Sequence, residues 1–201
     1  MDRLGAREAA DGAFSLWRDV ANEDGKRSKD KKGFKVRYSQ SMGKWGVKVG
    51  VRGDYYVRFG LNARRKQSVA LAILINVSYD FEELQNSFPD RFPYKKVKDS
   101  GFSIEDLVSN VLGFYRAVKP RVDYFKALHP VSKQAALKIW DTYHPERYKN
   151  KRFGPYLYPC GECKGGPAGP MWAPLPQVLD TITPARMGTE TLRPWIPSED
   201  E

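Results

Sequence analysis

The hydrophobic pattern of this chain changes period partway along. Phe34, Val36 and Tyr38 alternate with Lys35, Arg37 and Ser39. Trp45, Val47, Val49 and Val51 alternate with Lys44, Lys48 and Arg52, and Tyr55, Val57, Phe59 and Leu61 alternate with Tyr56, Arg58 and Asn62. A strict period of two, rich in β-branched and aromatic residues, predicts half-buried strands. Gly53, between Arg52 and Asp54, reads as the tip of a tight hairpin joining the second and third runs. The run from Val69 to Val77 is apolar on both faces, and its β-branched content favours a central strand over a buried helix.

Elsewhere the period is helical. Residues 1–25 read as one short amphipathic helix, with Ala6, Ala9, Ala10, Phe14, Leu16 and Trp17 at roughly helical spacing. A short helix is expected from Tyr79 to Phe88. Ser103 is a plausible N-cap for the stripe Leu107, Val111, Phe114, Tyr115 and Val118, which Pro120 stops. Further helices are expected over 122–128 and after Ser132, with Ala136, Ile139, Trp140 and Tyr143 on one face.

From Asn150 onward the chain holds nine of the 14 prolines and six of the 17 glycines, which leaves no room for a long helix. Its aromatics (Tyr156, Tyr158, Trp172, Trp195) suggest a strap packed on the domain. The expected fold class is therefore α+β. A small antiparallel β-meander in the N-terminal third is packed by C-terminal helices and followed by a Pro/Gly-rich extended strap. The expected division is 1–33 (helix and basic loop), 34–150 (α+β core) and 151–201 (strap with an acidic tip).

With 201 residues and 41% hydrophobic content the chain can form a core. No apolar run is long enough for a membrane span, and the charged N-terminus predicts no cleaved secretory signal. Two cysteines make no disulfide framework, so a cytoplasmic or other reducing compartment is the expectation.

Charge changes the picture more than composition does. The net charge is +10, and between Lys26 and Ser68 there are fourteen Lys or Arg against two acids, Asp30 and Asp54. One segment thus carries the whole excess. Lys26 to Gly33 reads as a solvated basic loop, flexible unless bound. Clustered cations inside an otherwise neutral chain favour a polyanion partner, because binding releases condensed counterions. On the predicted sheet, Lys35, Arg37, Lys44, Lys48, Arg52, Tyr56 and Arg58 share the face opposite the apolar one. A hairpin at Gly53 would set Lys48 against Arg58, a like-charge pair that phosphates would relieve. Arg64, Arg65 and Lys66 extend the patch, and Tyr56 offers a stacking surface for a base. The expected function is non-catalytic nucleic-acid binding, with single strands or RNA favoured.

His144-Pro145-Glu146 followed by Pro159-Cys160-Gly161-Glu162-Cys163 resembles the H-x-E…P-C-x-x-C signature of zinc-dependent nucleobase deaminases, over about 20 residues. The resemblance implies zinc on His144, Cys160 and Cys163, with Glu146 as the proton shuttle. Only twelve residues separate Glu146 from Pro159, however, and Lys164–Pro170 cannot open the helix that family needs. A structural zinc held by Cys160 and Cys163, completed by His129 or His144, stands beside a redox dithiol and two free thiols in a turn. A nuclease assembled from Asp80, Glu82, Glu83, Glu105 and Asp106 is the other enzymatic alternative. The third reading is a structural or assembly protein of capsid-associated or matrix-like type. The end of the chain, Trp195 to Glu201, pairs an apolar anchor with acids. It could lie on the basic sheet or dock a protein partner.

Overall fold

The structure, a computed structural model, describes residues 3–199 apart from 45–46, 91–94 and 164. Helix α1 (Arg3–Asn22) leads into a long antiparallel hairpin, β1 (Gly33–Lys44) and β2 (Val47–Arg58). Next come α2 (Ala63–Asn86), α3 (Lys95–Ser100), α4 (Asp106–Val118), α5 (Tyr124–Leu128) and α6 (Lys133–Tyr143). The strap forms a small ladder from β3 (Tyr156–Leu157) and β4 (Met171–Trp172), then returns as β5 (Leu192–Pro194) to complete a sheet of order β1-β2-β5. The fold is α+β.

The hairpin does not turn at Gly53. It turns between Lys44 and Val47, so Gly53 faces Tyr38 in mid-strand, Lys48 faces Gly43, and Arg58 faces Gly33. The expected Lys48–Arg58 repulsion is therefore absent. Gly53 is in the strand for a packing reason. The Tyr55 ring lies back along its own strand, and a methyl group at Gly53 would collide with it. Gly33 makes the same allowance on the opposite face for the ring of Tyr56.

The segment 69–77 is not a strand but the middle of α2. Its apolar residues look two-sided because the helix is central: Val69, Ala70, Ile73 and Val77 are buried on one side, and Leu71, Leu74 and Phe81 on another. A helix enclosed nearly all round loses its polar stripe, and with it the 3.6-residue signal. The helix expected at 79–88 is the last part of the same element. Asn62 caps α2 by accepting the amide of Arg65 at 2.9 Å. Ser132 caps α6 as expected, accepting Ala135 N at 3.1 Å.

Helices α1 and α2 cover the inner face of the sheet, where Phe34, Val36, Tyr55, Val57 and Leu192 are buried, and α4 packs on those two helices. From α1 the core takes Ala13, Leu16 and Val20, one face at three- and four-residue spacing. Phe14, expected on that face, is 46% exposed. Among the described residues no helix is long and apolar enough to cross a membrane.

Candidate nucleic-acid interface

The period-two pattern puts Lys35, Arg37, Arg52, Tyr56 and Arg58 on one outer face, opposite the buried Val36, Tyr55 and Val57. The side chains of Lys44 and Lys48 lie outside the described residues. The remaining outer-face groups do not form an open cationic plane. Asp54, directly across the ladder from Arg37, accepts its Nε at 2.7 Å and its Nη2 at 3.0 Å. Lys35 Nζ lies 3.0 Å from the same carboxylate. The Arg37 guanidinium, then Lys35, hold the Asp54 carboxyl down to about 2. A register pairing Lys44 with Val47 would have set Arg37 opposite Asp54 from the sequence alone.

Tyr56 is not the exposed stacking surface expected of it. It is 4% exposed, and Arg193, its cross-strand partner on β5, places its guanidinium 4.1 Å from the ring centroid. Burial pushes the Tyr56 phenol up. Arg193 in turn pairs with Glu199. Trp195, 8% exposed, lies beneath Lys35, whose Nζ is 5.2 Å from the ring centroid, and its amide bonds Asp54 O at 2.9 Å. Residues 193–199 therefore lie on this end of the sheet, as the pairing of an apolar anchor with acids suggested.

Lys66 also leaves the patch. Its Nζ bonds Ala21 O at 2.7 Å and pairs with Glu23 at 3.0 Å, closing the end of α1. Arg52, Arg58, Arg64 and Arg65 are exposed, and among the described residues no carboxylate pairs with them.

The basic loop is braced rather than loose. Ser28 is 1% exposed; its hydroxyl donates to Asp30 Oδ1 at 2.5 Å, and its amide bonds Gly33 O at 3.0 Å. Asp30 also accepts Lys32 N at 2.9 Å, and the Ser28 hydroxyl, more than any other group, lowers its carboxyl. Phe59 N bonds Lys32 O at 2.9 Å, and Arg27 stacks on the Phe59 ring. The Ser28-x-Asp30 turn chemistry was legible in the sequence but hidden behind the lysines. The result is a fixed loop presenting exposed Lys29, Lys31 and Lys32 at the base of the hairpin, where Arg58 ends β2 and Arg64 and Arg65 begin α2.

The proposed zinc ligands are arranged otherwise. Cys160 and Cys163 are joined in a disulfide, so neither is a thiolate available to a metal, and neither is the free thiol expected in a reducing compartment. His144 caps α6 in the left-handed region at φ 48° and sets its Nδ1 3.3 Å from Glu146 Oε1. His129 caps α5 in the same way at φ 44°. Glu162, inside the disulfide loop, accepts the amide of Ser132 at 2.9 Å and so fastens the start of α6. Among the described residues no three His, Cys, Asp or Glu side chains could hold a metal together.

Of the acids considered for a nuclease, Glu82 and Asp106 do meet, but inside the protein. Glu82 is 3% exposed and accepts the amide of Phe102 at 2.6 Å. Burial, reinforced by the Asp106 charge, pushes Glu82 up to about 8; burial and Glu105 push Asp106 up to about 6. Glu82 is buried and Asp106 half-buried, and two carboxyls this close favour a shared proton over two charges. No family model matches the chain, and no curated protein or solved structure matches it either.

Proposed function

We propose that the protein binds nucleic acid, without catalysis, through the base of its hairpin rather than through the middle of the sheet. Lys29, Lys31 and Lys32 of the braced loop, Arg58 at the end of β2, and Arg64 and Arg65 at the start of α2 supply the phosphate contacts. Arg52 extends the surface along the strand. One observation carries this reading: the exposed cations gather at the positive end of a 24-residue helix whose first turn holds no acid. Cations at a helix N-terminus are unfavourable by some tenths of a kcal/mol each in the free protein. A polyanion relieves that repulsion, adds the α2 dipole to the attraction and releases counterions. A fixed loop also loses little entropy on binding.

Phosphate contacts position a nucleic acid without reading its sequence. The preference for RNA or single strands rests on base stacking, and Tyr56 is the stacking group that release of the C-terminal segment would expose.

The test is fluorescence anisotropy with labelled single-stranded RNA, single-stranded DNA and duplex DNA between about 50 and about 200 mM salt. The expected result is binding that weakens steeply with salt. Arg58→Glu, Arg64→Glu and Arg65→Glu should each lower affinity for all probes and flatten the salt slope by about one phosphate contact. Salt-independent binding, or variants that bind like the parent, would overturn the reading.

A further inference from the structure

A second surface carries an argument of its own. A groove of about 620 Å³ runs between α1, α4 and α5, walled by Phe14, Leu112, Val122, Tyr124, Phe125 and Leu128. Phe125 is 79% exposed, Phe14 46% and Val122 37%. Large apolar side chains held in water forgo the gain from burial, and such residues lining one concavity mark a place where a partner supplies it.

The rim is cationic. Arg116 lines the groove, and the exposed Arg121 and Lys126 adjoin the lining residues Val122 and Phe125 in sequence. Among the described residues the one carboxylate in the lining, Asp123, is occupied in capping α5, where it accepts Lys126 N at 3.0 Å. We propose that this groove docks an amphipathic helix of another protein, one whose apolar stripe is flanked by acids. The concave apolar floor suits large side chains at i, i+4 and i+7, and the rim suits carboxylates beside them. A second copy of this chain fits less well, because a symmetric contact would set Arg116 against its own counterpart. A bilayer offers a flat face, which leaves the concave floor unfilled.

The probe is a labelled synthetic helical peptide with Leu and Phe at i, i+4 and i+7 and Glu elsewhere, compared with the same peptide carrying Lys for Glu. The expected result is binding about tenfold or more tighter for the acidic peptide, weakened about tenfold by Phe125→Asp and by Arg116→Glu. Both side chains are exposed, so a melting curve will show these variants folded. Arg58→Glu with Arg64→Glu should leave peptide binding unchanged, which separates this groove from the hairpin base. Equal binding of the two peptides, or indifference to Phe125→Asp, overturns the proposal. So does a concentration-dependent dimer in light scattering that Phe125→Asp abolishes, which assigns the face to a second copy. Binding to phosphatidylserine vesicles that the same substitution abolishes also overturns it, in favour of lipid.

Discussion

Arg193 stacks its guanidinium 4.1 Å from the centre of the Tyr56 ring. The contact ties the last strand to the cationic face and occupies the Tyr56 ring, an aromatic surface suited to a base. Glu199 holds Arg193 in place, and Trp195 fills the space beneath Lys35. Deleting 198–201 removes the Glu199 carboxylate and leaves β5 intact. Affinity for single-stranded RNA at low salt should rise by up to about fivefold, the scale of one partly exposed ion pair. Anisotropy titrations of the two chains side by side measure it, and unchanged affinity would show that the segment is only a structural clasp.

Asp54 neutralises two of the cations first read as phosphate contacts. Asp54→Asn should free Lys35 and Arg37, tighten polyanion binding, and cost about 1 kcal/mol of stability. The sign with pH follows from the depressed carboxyl. The native ionised form is favoured, so this contribution is complete above the ordinary value of 3.8 and is lost as pH falls toward about 2. Acid denaturation midpoints of parent and variant measure it; identical acid limbs would contradict the pairing.

The Glu82–Asp106 pair behaves in the opposite sense. Both carboxyls are raised in the folded protein, so folding takes up protons. Their contribution is greatest below the ordinary carboxylate range and declines as pH rises toward about 8, where Glu82 ionises in the interior. The melting temperature should fall between pH 5 and pH 8 for this reason. Glu82→Gln keeps an oxygen acceptor for Phe102 N–H without a titrating group, so it should flatten that fall. A variant with the parent's full pH dependence would disprove the assignment.

Gly53 gives a test of the register. At a hairpin tip, Gly53→Asn would be tolerated, because asparagine accepts turn conformations. In mid-strand under the Tyr55 ring, Gly53→Ala and Gly53→Asn should both cost about 1–3 kcal/mol, as overpacking does. The ring cannot swing clear cheaply. Tyr55 is 4% exposed, and its hydroxyl accepts Asn76 Nδ2 at 3.2 Å. Chemical denaturation of the two variants distinguishes the geometries.

The period-two segment was legible because one face of β1 and β2 is buried and the other is wet. The parity even held through Gly53: Val51 and Tyr55 both point inward. Reading Gly53 as punctuation put the turn in the wrong place, and with it went the Arg37–Asp54 pairing. The central helix was hidden for the opposite reason, since burial nearly all round erases the polar stripe that would have revealed it. The clustering of charge was plain from composition, but its fate was not. Whether a lysine faces water or a carboxylate is decided by contacts such as Lys66 with Glu23, made between elements distant in sequence. The Glu82–Asp106 meeting, likewise, has no local signature.

Val57 meets Leu192 across the sheet, so β2 waits for a neighbour that follows α2 to α6 in sequence. Such pairing of remote segments is slow. During synthesis β2 stands with an unpartnered edge until residues 192–194 have emerged, and bare edges recruit other chains. A transcript cut short before Leu192 would yield a molecule missing its final fastening, prone to aggregate rather than merely weakened. The lysines and arginines along that hairpin then have a second use: by mutual repulsion they keep unfinished copies apart.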